Sequence, residues 1–126
     1  MTQEQVEQVV ATCVGLIKVD AKGIAEAHDR TAKFLVAQTV LIDRLKAVEV
    51  EIGKHNAVVD MAYASAIKNA EGKDATARKA AAECEETYSK ENVTLTELEA
   101  NKSWLRAYIR VFENAHLTFR QYSKEG

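Results

Sequence analysis

Residues 34–66 read FLVAQTVLIDRLKAVEVEIGKHNAVVDMAYASA. Within them Phe34, Leu41, Val48, His55 and Ala62 recur every seven residues, and Gln38, Leu45, Ile52, Val59 and Ala66 follow four residues behind. Alternating steps of four and three hold one stripe on one face of a helix, which is the pattern of a coiled-coil seam. All of these positions except Gln38 carry apolar side chains or histidine. Ile24, Leu35 and Ile42 widen the stripe. The spacing predicts one long helix over 24–69.

Downstream the same rhythm returns in Cys84, Tyr88, Glu91, Leu95, Leu98, Lys102, Leu105, Ile109, Phe112, His116 and Phe119. It predicts a second long helix over 75–122, about 70 Å long at 1.5 Å per residue. Residues 70–74, just after Asn69, form the turn. Asn69 and Gly72 can close the first helix in left-handed conformations, and Asp74 is a good N-cap for the second. A short loop between two long helices makes them antiparallel neighbours. Centring the register on Glu71 and Gly72 sets Val59 against Cys84, His55 against Tyr88, Val48 against Leu95 and Leu45 against Leu98. It sets Leu41 against Lys102, Gln38 against Leu105 and Phe34 against Ile109, with His28 near Phe112 to His116.

Residues 1–20 form a separate amphipathic helix. Val6, Val9, Val10, Cys13, Val14 and Ile17 share one face, and Thr2 with Gln5 has the form of a capping box. Gly15 suggests a close helix approach, and Gly23 a break. Two paired helices leave this valine-rich face no place in their seam. It folds back as a third helix or forms an oligomer interface. Two helices alone bury little apolar surface, so the expected fold is all-α: a long antiparallel helical hairpin plus an N-terminal amphipathic helix, completed into a bundle by oligomerisation. A two-fold dimer is the commonest such assembly. The whole of 1–126 is read as one helical domain.

Composition agrees. The 126 residues include no proline and five glycines, where about 5% proline is ordinary; proline breaks helices. A net charge of −2 argues against wholesale electrostatic binding to nucleic acid or membrane. Cys13 and Cys84 lack CxxC spacing and read as reduced thiols of a cytoplasmic protein. No basic leader opens the sequence, and no apolar run approaches the ~20 residues of a membrane span.

Three constellations carry candidate chemistry. Lys102, Arg106 and Arg110 stripe one side of the last helix beside Trp104 and Tyr108, a pattern suited to single-stranded nucleic acid or an acidic partner. The region 83–99, with six glutamates against Lys90, could instead pair with this basic end in a neighbouring subunit. Glu113 and His116 form an E-x-x-H pair that, with His28, offers ligands of the type found in carboxylate-bridged metal bundles; a second such motif is missing. His55, Glu91 and Lys102 put polar groups into the seam, where such groups set register. No Gly-rich phosphate loop or nucleophile elbow is present. No catalytic residue and no cofactor is expected.

The stretch 73–83, KDATARKAAAE, followed by Tyr88, Leu95, Leu98, Leu105 and Ile109, resembles small helical-hairpin proteins of bacteriophages. In these a turn of the pattern K-D/T-x-x-x-R-K-A opens the second helix, which ends in a hydrophobic and basic segment. The resemblance covers the second half of the chain. It implies an accessory, non-enzymatic protein of phage DNA metabolism or host interaction, located in the host cytoplasm, and identifies no functional residue. The leading expectation is a helical protein that associates with itself and with a protein partner. The alternatives are an accessory factor of recombination contacting single-stranded nucleic acid and a metal-binding bundle.

Overall fold

The structure, a computed structural model, describes residues 1–70 and 74–125. The fold is all-α: α1 spans Gln3–Ile17, α2 Ile24–Asn69, α3 Ala75–Glu83 and α4 Glu86–Glu125. No strand occurs among the described residues. The chain divides into two compact units, Met1–Ala47 with Ser103–Gly126, and Val48–Lys102; α2 and α4 each contribute to both.

In the first unit α2 and α4 run antiparallel. Phe34 stacks on Phe112 with ring centroids 6.2 Å apart and meets Phe119 at 5.3 Å. The Gln38 amide donates to the Phe112 carbonyl at 3.4 Å, and His116 Nδ1 lies 3.1 Å from the Thr31 carbonyl. Phe34, Leu41, Leu105 and Phe112 are fully buried, as the two seams require. The expected capping box opens α1: Gln5 N–H donates to the Thr2 hydroxyl at 3.2 Å and Thr2 N–H to Gln5 Oε1 at 2.8 Å. Between folding back and binding another subunit, α1 folds back. Val6, Val10 and Cys13 are buried within the chain, and Arg44 reaches Gln3 at 3.4 Å. Gly15 marks no close approach, since nothing lies within 4 Å of where its Cβ would be. Gly23, at φ +123°, supplies the left-handed turn into α2 that other residues rarely adopt.

In the second unit His55 Nε2 lies 3.0 Å from Glu91 Oε2 and 2.9 Å from the Glu91 carbonyl. Tyr63 packs on Tyr88 at 5.0 Å. Two polar seam positions thus satisfy each other, but the register differs from the expected one. His55 meets Glu91 in place of Tyr88, and in the first unit Phe34 meets Phe112 in place of Ile109. Two causes account for the shift. Side chains in helices lean towards their own N-termini, so in an antiparallel pair contacts fall at higher numbers than backbone levels suggest. The expected helix over 75–122 is also broken: Cys84 is the C-cap of α3 and Glu85 opens α4. Cys84 is therefore exposed rather than in the seam, and Ala82 is buried instead. Asp74 caps α3 as expected, accepting from Ala77 N–H at 2.7 Å. The centre of the expected turn, Glu71 and Gly72, lies outside the described residues.

The break is held by a carboxylate. Glu85 Oε2 accepts the Tyr88 N–H at 2.8 Å, using a donor that a helix start leaves without an intrahelical partner. The backbone N–H groups of Tyr88 and then Thr87 hold the Glu85 carboxyl below its ordinary value. A carboxylate depressed in this way stabilises the fold above its unfolded-state pKa. That contribution vanishes as pH falls through the lower folded value. Glu85→Gln should accordingly melt below the native protein at neutral pH, with the two melting temperatures converging in acid. A constant gap across the pH range would show that the carboxylate charge is not what caps α4.

Candidate functional site

The last turn of α1 contains no basic residue, so its C-terminal carbonyls need a donor from elsewhere. Arg30, on α2, supplies it. Its guanidinium donates to the carbonyls of Leu16 at 3.1 Å, Val19, and Asp20 at 3.4 Å, and pairs with Glu26 at 2.5 Å. It also lies over the Phe119 ring, 5.5 Å from its centroid. Arg30 is 4% exposed, the one buried charged residue among the described residues. A cation at a helix C-terminus is also favoured by the helix dipole. This clamp fixes α1 alongside α2, and α4 covers the guanidinium through Phe119.

With α1 fixed, an open groove of about 690 Å3 runs between α1 and α2 in the first unit, lined by Val9, Cys13, Leu16, Ala32, Val36 and Val40 among others. Val36 is 63% exposed, and the neighbouring Leu35 is exposed as well. The sequence around the groove carries no charge from Gln8 to Ile17 on α1 or from Phe34 to Ile42 on α2. A solvated helix face ordinarily carries charges. Apart from Asp29 and Lys33 the groove's lining carries no charge, and a largely apolar lining is the composition of the centre of a protein–protein contact. At one rim Lys33 pairs with Asp29 at 3.0 Å.

Cys13 lies in the floor of this groove. Burial pushes its thiol up, with the nearby Lys33 pulling weakly the other way. Only the thiolate is nucleophilic, so a thiol reagent should label Cys84 first and Cys13 at least roughly tenfold more slowly. Equal rates for the two would mean that α1 does not hold Cys13 buried against the rest of the first unit.

The residues singled out in the sequence are distributed otherwise than expected. Of the α1 face proposed as an oligomer interface, Val6, Val10 and Cys13 are taken up by the chain's own core, and Val14 and Ile17 are half-buried. Val9 also lines the groove. The reason is that α1 turns its valine face inward onto α2, which leaves the other side of the helix open. Trp104 and Tyr108 come together, with ring centroids 5.1 Å apart, and Tyr108 continues onto Phe112 at 6.0 Å. Arg106 and Arg110 are exposed. Each is two residues, or about 200° of helix, from an aromatic partner, so cations and rings occupy different sides of α4. Lys102 is half-buried. Among the described residues no group of three His, Cys, Asp or Glu side chains could hold a metal ion; His28, Glu113 and His116 do not form one. His28 and Glu113 are exposed, while His116 is engaged with Thr31. No described helix is long and apolar enough to cross a membrane.

Comparison with protein-family models, with curated proteins and with solved structures finds no match.

Proposed function

We propose that this protein is a non-enzymatic helical interaction protein that acts by contact with protein, through the open face of α1 and α2. The single observation that carries this reading is the groove: apolar, broad, and flanked on both helices by sequence without charge. Apolar surface of this kind exposed on a chain marks an interaction site. The phage-like stretch at 73–83 supports an accessory role in a bacteriophage. Contact with single-stranded nucleic acid has less support, because Trp104 and Tyr108 pack on each other and on Phe112, on a different side of α4 from Arg106 and Arg110.

The test uses a photo-reactive phenylalanine analogue at Val36, on the groove, and at exposed Glu97 as a control. Irradiation of cells producing the full chain should give protein adducts from position 36 and few from 97. Adducts to nucleic acid alone, or equal yields at both positions, would overturn the reading.

A further inference from the structure

The seam rhythm of α4 reaches back to Cys84, yet Cys84 is exposed and Ala82 is buried in its stead. The two positions are two residues, or about 200° of helix, apart. α3 is therefore turned roughly half-way round its own axis from the phase that α4 would impose. We propose that the joint at Cys84 and Glu85 is a two-state switch: α3 packs on α2 through Ala82 when the helix is broken, as here, and through Cys84 when α3 and α4 join into one helix over 75–125. Little holds the broken form. Residues 79–90 read KAAAECEETYSK, without glycine or proline, and alanine and glutamate favour helix. Cys84 keeps a right-handed helical backbone at φ −90° and ψ −3°, so the break is one residue wide, at Glu85. Among the described residues of α3 only Ala82 is buried. The Glu85 carboxylate caps the Tyr88 N–H; in an unbroken helix that N–H donates to the Cys84 carbonyl, so one bond replaces the other. The joined form also has room. Beside the joint, an open cavity of about 280 Å3 is lined by Ala62, Ser65, Ala66, Ala81, Glu85 and Thr87 among others. His55 meets Glu91, and one heptad closer to the turn Ala62 stands to Cys84 as His55 does to Glu91. Joining the helices turns the Cys84 side chain towards this cavity and Ala82 out of the seam. The exchange alters what α3 shows to solvent, so a partner that touches either face selects one form.

The rate at which a thiol reagent modifies Cys84 in the full chain, located by peptide mass, reads the two forms, because only the broken one exposes it. Glu85→Ala removes the cap and favours the joined helix. It should slow the labelling at least about tenfold without loss of helical circular dichroism. Adding Glu86→Pro should restore the native rate, since proline is accepted in the first turn of α4 but not inside a continuous helix. Ala82→Glu, which puts a charge where the broken form is buried, should protect Cys84 as Glu85→Ala does. Labelling at the native rate in either Glu85→Ala or Ala82→Glu would overturn the switch, whether α3 stays in place or melts. Protection that survives Glu86→Pro would overturn it too, because a helix broken by proline cannot return Cys84 to the seam.

Discussion

Arg30→Met should lower the stability of the first unit by about 2–4 kcal/mol, the largest loss expected from any substitution outside the apolar core. Methionine keeps much of the volume and removes every donor. The carbonyls of Leu16, Val19 and Asp20 then lose their shared partner, and hydrogen bonds to a charged group contribute about 1.5–3 kcal/mol. The ring of Phe119 loses the cation above it. The pair with Glu26 adds less, because that carboxylate is 37% exposed and solvent screens it. Arg30→Lys should recover only part of the loss, since one ammonium cannot span the carbonyls that the planar guanidinium reaches together. Chemical denaturation followed by circular dichroism measures both variants. A loss within 0.5 kcal/mol (about the size of an ordinary surface change) would show that the clamp does not hold α1.

Phe34→Ala and Phe112→Ala should each cost about 3–5 kcal/mol, through lost transfer energy and the cavity left behind. Both side chains are fully buried and stacked on each other across α2 and α4. Because they share one contact, the double variant should lose less than the two losses added. Strict additivity would mean that the rings are not neighbours. Leu41→Ala, also fully buried, provides a comparison on the same helix away from the aromatic stack.

What the sequence revealed and what it concealed divide along physical lines. Seven-residue periodicity depends on local spacing alone, and it located the α2 and α4 seams; their antiparallel sense followed from the short connection between them. The caps at Thr2 and Asp74 were equally legible, because a capping bond reaches only three residues along the chain. The register was not, because counting through the turn presumes an unbroken helix and Glu85 starts a new one. Arg30 went unnoticed for a related reason. Its value lies in the carbonyls at the end of α1, 10 to 14 residues away, and no periodicity reports that. The groove had a visible trace in the two uncharged runs, but their significance appears only when α1 is laid beside α2. The basic stripe and the aromatic pair of α4 looked like one surface because they alternate in sequence. A helix turns residues two apart to nearly opposite sides.

The most direct test of the central claim, that the α1–α2 face is a surface for protein and not for nucleic acid, is the mass of the full chain in solution. It is measured by light scattering with and without a single-stranded oligonucleotide. The account predicts the same mass in both samples, and no change on reversing Arg106 and Arg110 to glutamate. A single-chain mass that rises when the oligonucleotide is added, and no longer rises once those two arginines are reversed, would contradict it.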